Sequence, residues 1–220
     1  MKKIKKYPKK YSKIDPTIQL FLALGLFAIT VIASRGVDMA GWEITLFQSI
    51  YNLPDFLHPV FLIITQMGSI YMLGLLLILY LIKKHHHIVL RLLLTGTLAY
   101  LVTGVAKDLW GRARPNEILI DVVNLDYVVR GPGFPSGHTA LATALALTLM
   151  HYLPKKYHWI VPAWIVGVGL SRMYLGIHAP LDILGGFAIG WASYALFRHV
   201  RLYDIKFGKK HPRKKSRPKT

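Results

Sequence analysis

Apolar residues in this chain fall into blocks long enough to cross the ~30 Å hydrocarbon core of a bilayer as helices. Six blocks stand out, at roughly 17–34, 58–82, 88–106, 137–153, 159–175 and 180–197. Gln66, Gly68 and Ser69 interrupt the second, which predicts either a kink within one crossing or two packed half-helices, and it is taken as one crossing. Between the first two blocks, Trp42, Leu46 and Ile50, with Phe47 and Tyr51 beside them, recur at helical intervals. A short interfacial helix fits this pattern, and so does a packed loop. The longest connection, 115–135, mixes Glu117, Asp121 and Asp126 with apolar pairs and closes on Gly131-Pro132-Gly133, residues that stop a helix. The predicted fold is all-α, a six-helix transmembrane bundle.

Composition agrees with a membrane protein of one domain: 220 residues, 53% hydrophobic, mean hydropathy +0.38. The net charge of +18 would raise nucleic acid as a partner, but its placement argues against it. With both termini cytoplasmic, the inner segments hold 22 of the 28 Lys and Arg residues, and the outer ones hold Arg35, Lys107, Arg112, Arg114, Arg130 and Arg172. That asymmetry is what the positive-inside rule describes. Segments 1–14 and 204–220 are read as basic cytoplasmic tails that attract anionic lipid, flanking a membrane domain at 15–203. The first apolar block is longer than a signal-peptide core and lacks a small-x-small cleavage pattern, so it is expected to stay as the first span. Cysteine is absent, which removes disulfide and thiolate chemistry.

Three short strings carry the candidate chemistry: Lys107 with Arg114-Pro115, then Pro135-Ser136-Gly137-His138, then Ser171-Arg172 with His178 and Asp182. On the predicted topology all of them lie at the outer ends of their spans, an agreement that the charge count did not require. Lys107, Arg114 and Arg172 suit a phosphate group, because arginine forks bind its oxygens bidentately and lysine acts as a point charge. Each charge-assisted hydrogen bond contributes about 1.5–3 kcal/mol. Ser136 and Gly137 open a predicted helix, where free N–H groups and the helix dipole favour an anion; a plain Ser136 cap is compatible with that role. Arg112 is read as a basic residue snorkelling to the headgroups. His85, His86 and His87 are read as a polar turn, since adjacent helical residues diverge by about 100° and share a metal poorly. No carboxylate pair or histidine cluster of divalent-metal type is present in the motifs, so neither a metal nor a cofactor is expected.

Order and spacing together resemble the three-part motif of the type 2 phosphatidic acid phosphatase superfamily, which includes the vanadium-dependent haloperoxidases. The resemblance spans roughly residues 35–200, and no motif position is missing. It implies that His178 attacks phosphorus to give a phosphohistidine, that Asp182, four residues on and on the same helical face, orients it, and that His138 serves the leaving group and then the water as acid and base. It also implies an extracytoplasmic site acting on a lipid phosphate or diphosphate: undecaprenyl pyrophosphate, phosphatidylglycerol phosphate or phosphatidic acid. The alternatives are a haloperoxidase-like use of vanadate and a membrane protein that binds lipid phosphate without turning it over. Oligomeric state is not written in the pattern.

Overall fold

The computed structural model describes residues 14–35, 39–126 and 131–200. The expected tails and Arg130 lie outside these residues, apart from Ile14. Helix α1 (Pro16–Ala33) starts where the Asp15 carboxylate accepts from the Thr17 N–H at 2.7 Å and Pro16 fills a position that needs no donor. Helix α2 (Gly41–Tyr51) follows, so the helical alternative for this segment holds, with Glu43 and Phe47 buried on its inner face and Trp42 and Leu46 exposed on the other.

The second apolar block is two helices, α3 (His58–Gln66) and α4 (Ile70–Ile82), bent by 55° at Met67–Ser69. The break has physical causes. Ser69 caps α4 by accepting from the Met72 N–H, and the Trp164 indole donates to the Met67 carbonyl that the bend frees, at 3.0 Å. A side chain at Gly68 would stand 2.6 Å from the His138 carbonyl, so the break lies against the start of a later helix.

Helices α5 (His86–Trp110), α6 (Pro115–Ile118), α7 (Gly137–Met150), α8 (Ile160–Tyr174) and α9 (Pro180–His199) complete the described chain. The turn expected at the three histidines is shorter than read: Lys84 turns the chain, and His86 and His87 already belong to α5. Each of the six apolar blocks therefore contains helix. By length and hydropathy α1, the α5 stretch and α9 qualify as spans, and the bent α3–α4 pair makes four. Helices α7 and α8, at 14 and 15 residues, are shorter than the ~20 a lone span requires.

Helix α7 sits at the centre, packed by α5, α8 and α9, with ten of its fourteen residues buried. Its alanines and threonines meet a glycine stripe on α9, the small-against-small contact by which helices approach closely without a hydrophobic drive from lipid. At Gly186 an added Cβ would collide with the Ser136 carbonyl, and at Gly190 with the Ala140 carbonyl. Outward faces carry Phe21, Ile29, Ile78, Ile82, Leu101 and Val105, an apolar surface suited to lipid.

Candidate active site

The C-terminal ends of α5 and α8 and the N-terminal ends of α7 and α9 meet at one end of the bundle. All eight residues singled out in the motifs stand there. Gly111, in the left-handed region at φ +65°, ends α5 and returns its N–H to the Lys107 carbonyl at 3.0 Å, leaving Lys107 in the last turn. Its ammonium donates to the Pro132 and Gly133 carbonyls at 2.5 and 3.2 Å. Arg114 donates from Nε to Gly131 O, from Nη2 to Pro132 O and from Nη1 to Ile177 O, at 2.8, 3.2 and 3.1 Å. One guanidinium thus ties the loop before α7 to the loop before α9.

Ser136 caps α7: its Oγ accepts from the Thr139 hydroxyl at 3.1 Å and, at 3.5 Å, from the Thr139 N–H, while its own N–H donates to the Asp182 carbonyl at 2.8 Å. Among the described residues no group accepts from the Gly137 or His138 N–H, so the first turn of α7 keeps the free donors that its position predicts. The start of α9 differs. There Leu181 N–H donates to Glu43 Oε1 and Ala179 N–H to Asp182 Oδ2, at 3.1 and 2.9 Å, so carboxylates already fill it.

Arg172 is buried, and its Nη1 donates to Thr65 Oγ1 and to Asp126 Oδ2, each at 2.8 Å. Its Nε is enclosed with no acceptor among the described residues. A buried guanidinium nitrogen without a protein acceptor is costly, and it leaves Arg172 Nε a donor suited to an anion.

His178 is 2% exposed and lies in the loop before α9, with Nδ1 3.3 Å from Asp182 Oδ2. The two do meet, but not across a helical face: Asp182 is in the first turn and bends its carboxylate back over the preceding loop. Burial first, and then the positive charges of Lys107, Arg114 and Arg172, push the His178 imidazole well below its ordinary pKa. It is therefore neutral, and with Nδ1 on Asp182 the lone pair is left on Nε2. His138 stands within electrostatic reach of the same ring. A neutral imidazole, a buried carboxylate, three cations and a helix start with free donors make a site that can receive a phosphate and attack it.

The PAP2 superfamily profile matches residues 88–206. A phosphatidylglycerophosphatase B of Bacillus subtilis is 32% identical over 86% of this chain and 95% of its own length. The chain belongs to the PAP2 superfamily. An undecaprenyl-diphosphatase of Sulfolobus acidocaldarius is 27% identical over 80% of this PAP2 protein and 85% of itself. Among solved structures, a transmembrane PAP2-type phosphatidylglycerolphosphate phosphatase from Bacillus subtilis superposes with TM-score 0.73 and 25% identity, covering 86% of this chain and 98% of that one.

In this PAP2 protein the reading of Arg112 as a headgroup anchor does not hold. Arg112 is 2% exposed and points inward, donating to Glu43 Oε2 at 2.6 Å, Glu43 Oε1 at 3.3 Å and Asp182 Oδ1 at 3.0 Å. Two buried carboxylates outweigh water as partners for a guanidinium that sits two residues past a helix end. Glu43 carries a signal of its own in the sequence, since an acid on an apolar helix is a functional candidate by default in a membrane protein. Thr65 and Asp126, the partners of Arg172, carried no such signal.

Proposed function

We propose that this protein is a membrane lipid phosphatase that hydrolyses a lipid phosphate or diphosphate through a phosphohistidine on His178, without a metal. Undecaprenyl pyrophosphate, phosphatidylglycerol phosphate and phosphatidic acid are its candidate substrates, the first two supported by the names of its relatives. The observation that carries the reading is the buried His178, with Nδ1 3.3 Å from Asp182 Oδ2 and its ring within electrostatic reach of Lys107, Arg114 and Arg172. In the proposed cycle the phosphate lies on the α7 N-terminus, at Ser136 and Gly137, and takes the free donors of the three cations. His178 Nε2 gives its lone pair to phosphorus, the P–O bond to the lipid breaks, and His138 gives that oxygen a proton. His138 then takes a proton from water, the water oxygen attacks phosphorus, and the P–N bond breaks to free phosphate and restore His178. Charge development on the phosphoryl oxygens is met by groups already fixed in place, which is where such catalysis gains most.

The membrane placement is part of the proposal: six crossings, with α7 and α8 completing theirs inside protein, both termini cytoplasmic and the site extracytoplasmic. Domain limits of 15–203, with basic tails of 1–14 and 204–220 that touch anionic lipid, belong to it as well. Purified protein in detergent, assayed for phosphate release against prenyl diphosphates and phosphoglycerolipids, tests the activity. His178→Asn tests the mechanism: it is expected to trap no labelled phosphate covalently, whereas His138→Asn is slow yet still labels when the leaving group is good. Covalent labelling of His178→Asn would overturn the assignment of the nucleophile.

A further inference from the structure

Two charges outside any motif role, Glu43 and Arg112, meet the motif carboxylate Asp182 behind the candidate nucleophile. Glu43 on α2 and Asp182 on α9 share the Arg112 guanidinium, and the three side chains are at most 1% exposed. Glu43 accepts from both terminal nitrogens of Arg112, and its two oxygens also accept from Ala40 N–H and Leu181 N–H, at 3.2 and 3.1 Å. It is therefore anchored to its own helix start and to the first turn of α9. Asp182 divides its oxygens: Oδ1 accepts from Arg112, and Oδ2 faces Ala179 N–H and His178 Nδ1.

Stability alone is a poor reason for this arrangement, since a buried ion triad is often no better than apolar side chains of equal volume. Its geometry has a chemical use. A carboxylate held at one oxygen by a fixed donor cannot rotate, so the other oxygen stays aimed at the imidazole. A guanidinium facing Asp182 alone would also draw negative charge away from His178, and Glu43 absorbs that pull. We propose that Glu43 and Arg112 are positioning residues for the reaction: Glu43 fixes and neutralises Arg112, and Arg112 locks Asp182 so that its second oxygen stays oriented and charged toward His178. The inference rests on the roles proposed above for His178 and Asp182.

Charge counting provides the test. The triad carries −1 as found, −2 in Arg112→Gln, 0 in Glu43→Gln and −1 again in the double variant. Each full-length protein, with Arg112→Lys and His178→Asn beside it, is purified in detergent. Thermal midpoints are measured, and kcat, KM and covalent labelling are followed with phosphatidic acid and a prenyl diphosphate in mixed micelles. Arg112→Gln is expected to lose about 10²-fold or more in kcat with KM within threefold, the loss a misplaced reacting group brings. Arg112→Lys keeps the charge without the fork and falls between. The double variant is expected to regain at least tenfold over Arg112→Gln despite having fewer hydrogen bonds. A merely structural triad would lower the thermal midpoint and leave kcat of the folded enzyme within twofold, or make the double variant worse than Arg112→Gln, and either result overturns the inference. Where Arg112→Gln does not fold, Glu43→Gln decides: a tenfold fall in kcat at unchanged KM supports it, and kcat within twofold overturns it. Labelling of His178→Asn would instead sink the reading of the site itself.

Discussion

Replacing Gly186 by alanine adds one methyl group where α9 lies against α7. The new Cβ would run into the Ser136 carbonyl oxygen and approach Ala140 N and Ser136 C at 3.2 Å, all backbone atoms with no rotamer to yield. Carbon contacts are comfortable at about 3.5–4 Å, so α9 must retreat by roughly 1 Å. One turn earlier on α9 is Asp182, whose carbonyl accepts from Ser136 N–H at 2.8 Å and whose carboxylate faces His178. The retreat therefore moves the His178 side of the site away from the His138 side. Overpacking costs about 1–3 kcal/mol, partly offset by about 1 kcal/mol of better helix propensity. A 1 Å misplacement of reacting groups costs about 10²-fold in rate. Expected are a thermal midpoint lowered by a few degrees and a kcat about 10²-fold down, measured as phosphate release from the same micellar substrate. Gly25→Ala is the control, because nothing lies within 4 Å of its Cβ position, and it should leave kcat unchanged. A Gly186→Ala enzyme with kcat within threefold of the parent would refute the view that this contact sets the spacing of the two histidines.

Three further outcomes are expected. His178 has its pKa depressed below the ordinary 6.5, so it keeps its lone pair as pH falls through that value; phosphoenzyme formation from an aryl phosphate should be within threefold at pH 5.5 and 7.5, whereas an unshifted histidine would be about 10% neutral at the lower pH and lose about tenfold. Activity should survive excess EDTA and be inhibited by orthovanadate, and a loss on chelation that magnesium restores would contradict the metal-free mechanism. Single cysteines introduced into this cysteine-free chain should react with an impermeant maleimide at 120–126 from outside the cell but not at Lys84, and the reverse pattern would invert the proposed orientation.

The parts of the site that were legible beforehand are those in which chemistry and spacing coincide within a few residues. Ser136 as cap, His138 behind it, and His178 with Asp182 are local patterns, and the helices over the apolar blocks follow from hydropathy. Arg112 was misread because a lone arginine past a helix end looks the same whether it turns to water or to a buried acid. Its partner Glu43 stands 69 residues earlier, and nothing local announces the pairing. The contact of His178 with Asp182 was anticipated for the wrong reason: helical periodicity brings residues four apart together, but here a pre-helix loop and a bent-back carboxylate do so. Arg172 with Asp126 and Thr65 depends likewise on how three separate segments pack.

The brevity of α7 has a mechanical consequence. Fourteen residues rise about 21 Å, some 9 Å less than a hydrocarbon core, and neighbouring helices enclose nearly all of them. A change in bilayer thickness acts on surfaces that lipid touches, by tilting or stretching the perimeter helices. Helix α7 presents little such surface, so it carries Ser136, Gly137 and His138 as a floor suspended from its neighbours and insulated from the elastic strain of the membrane around it.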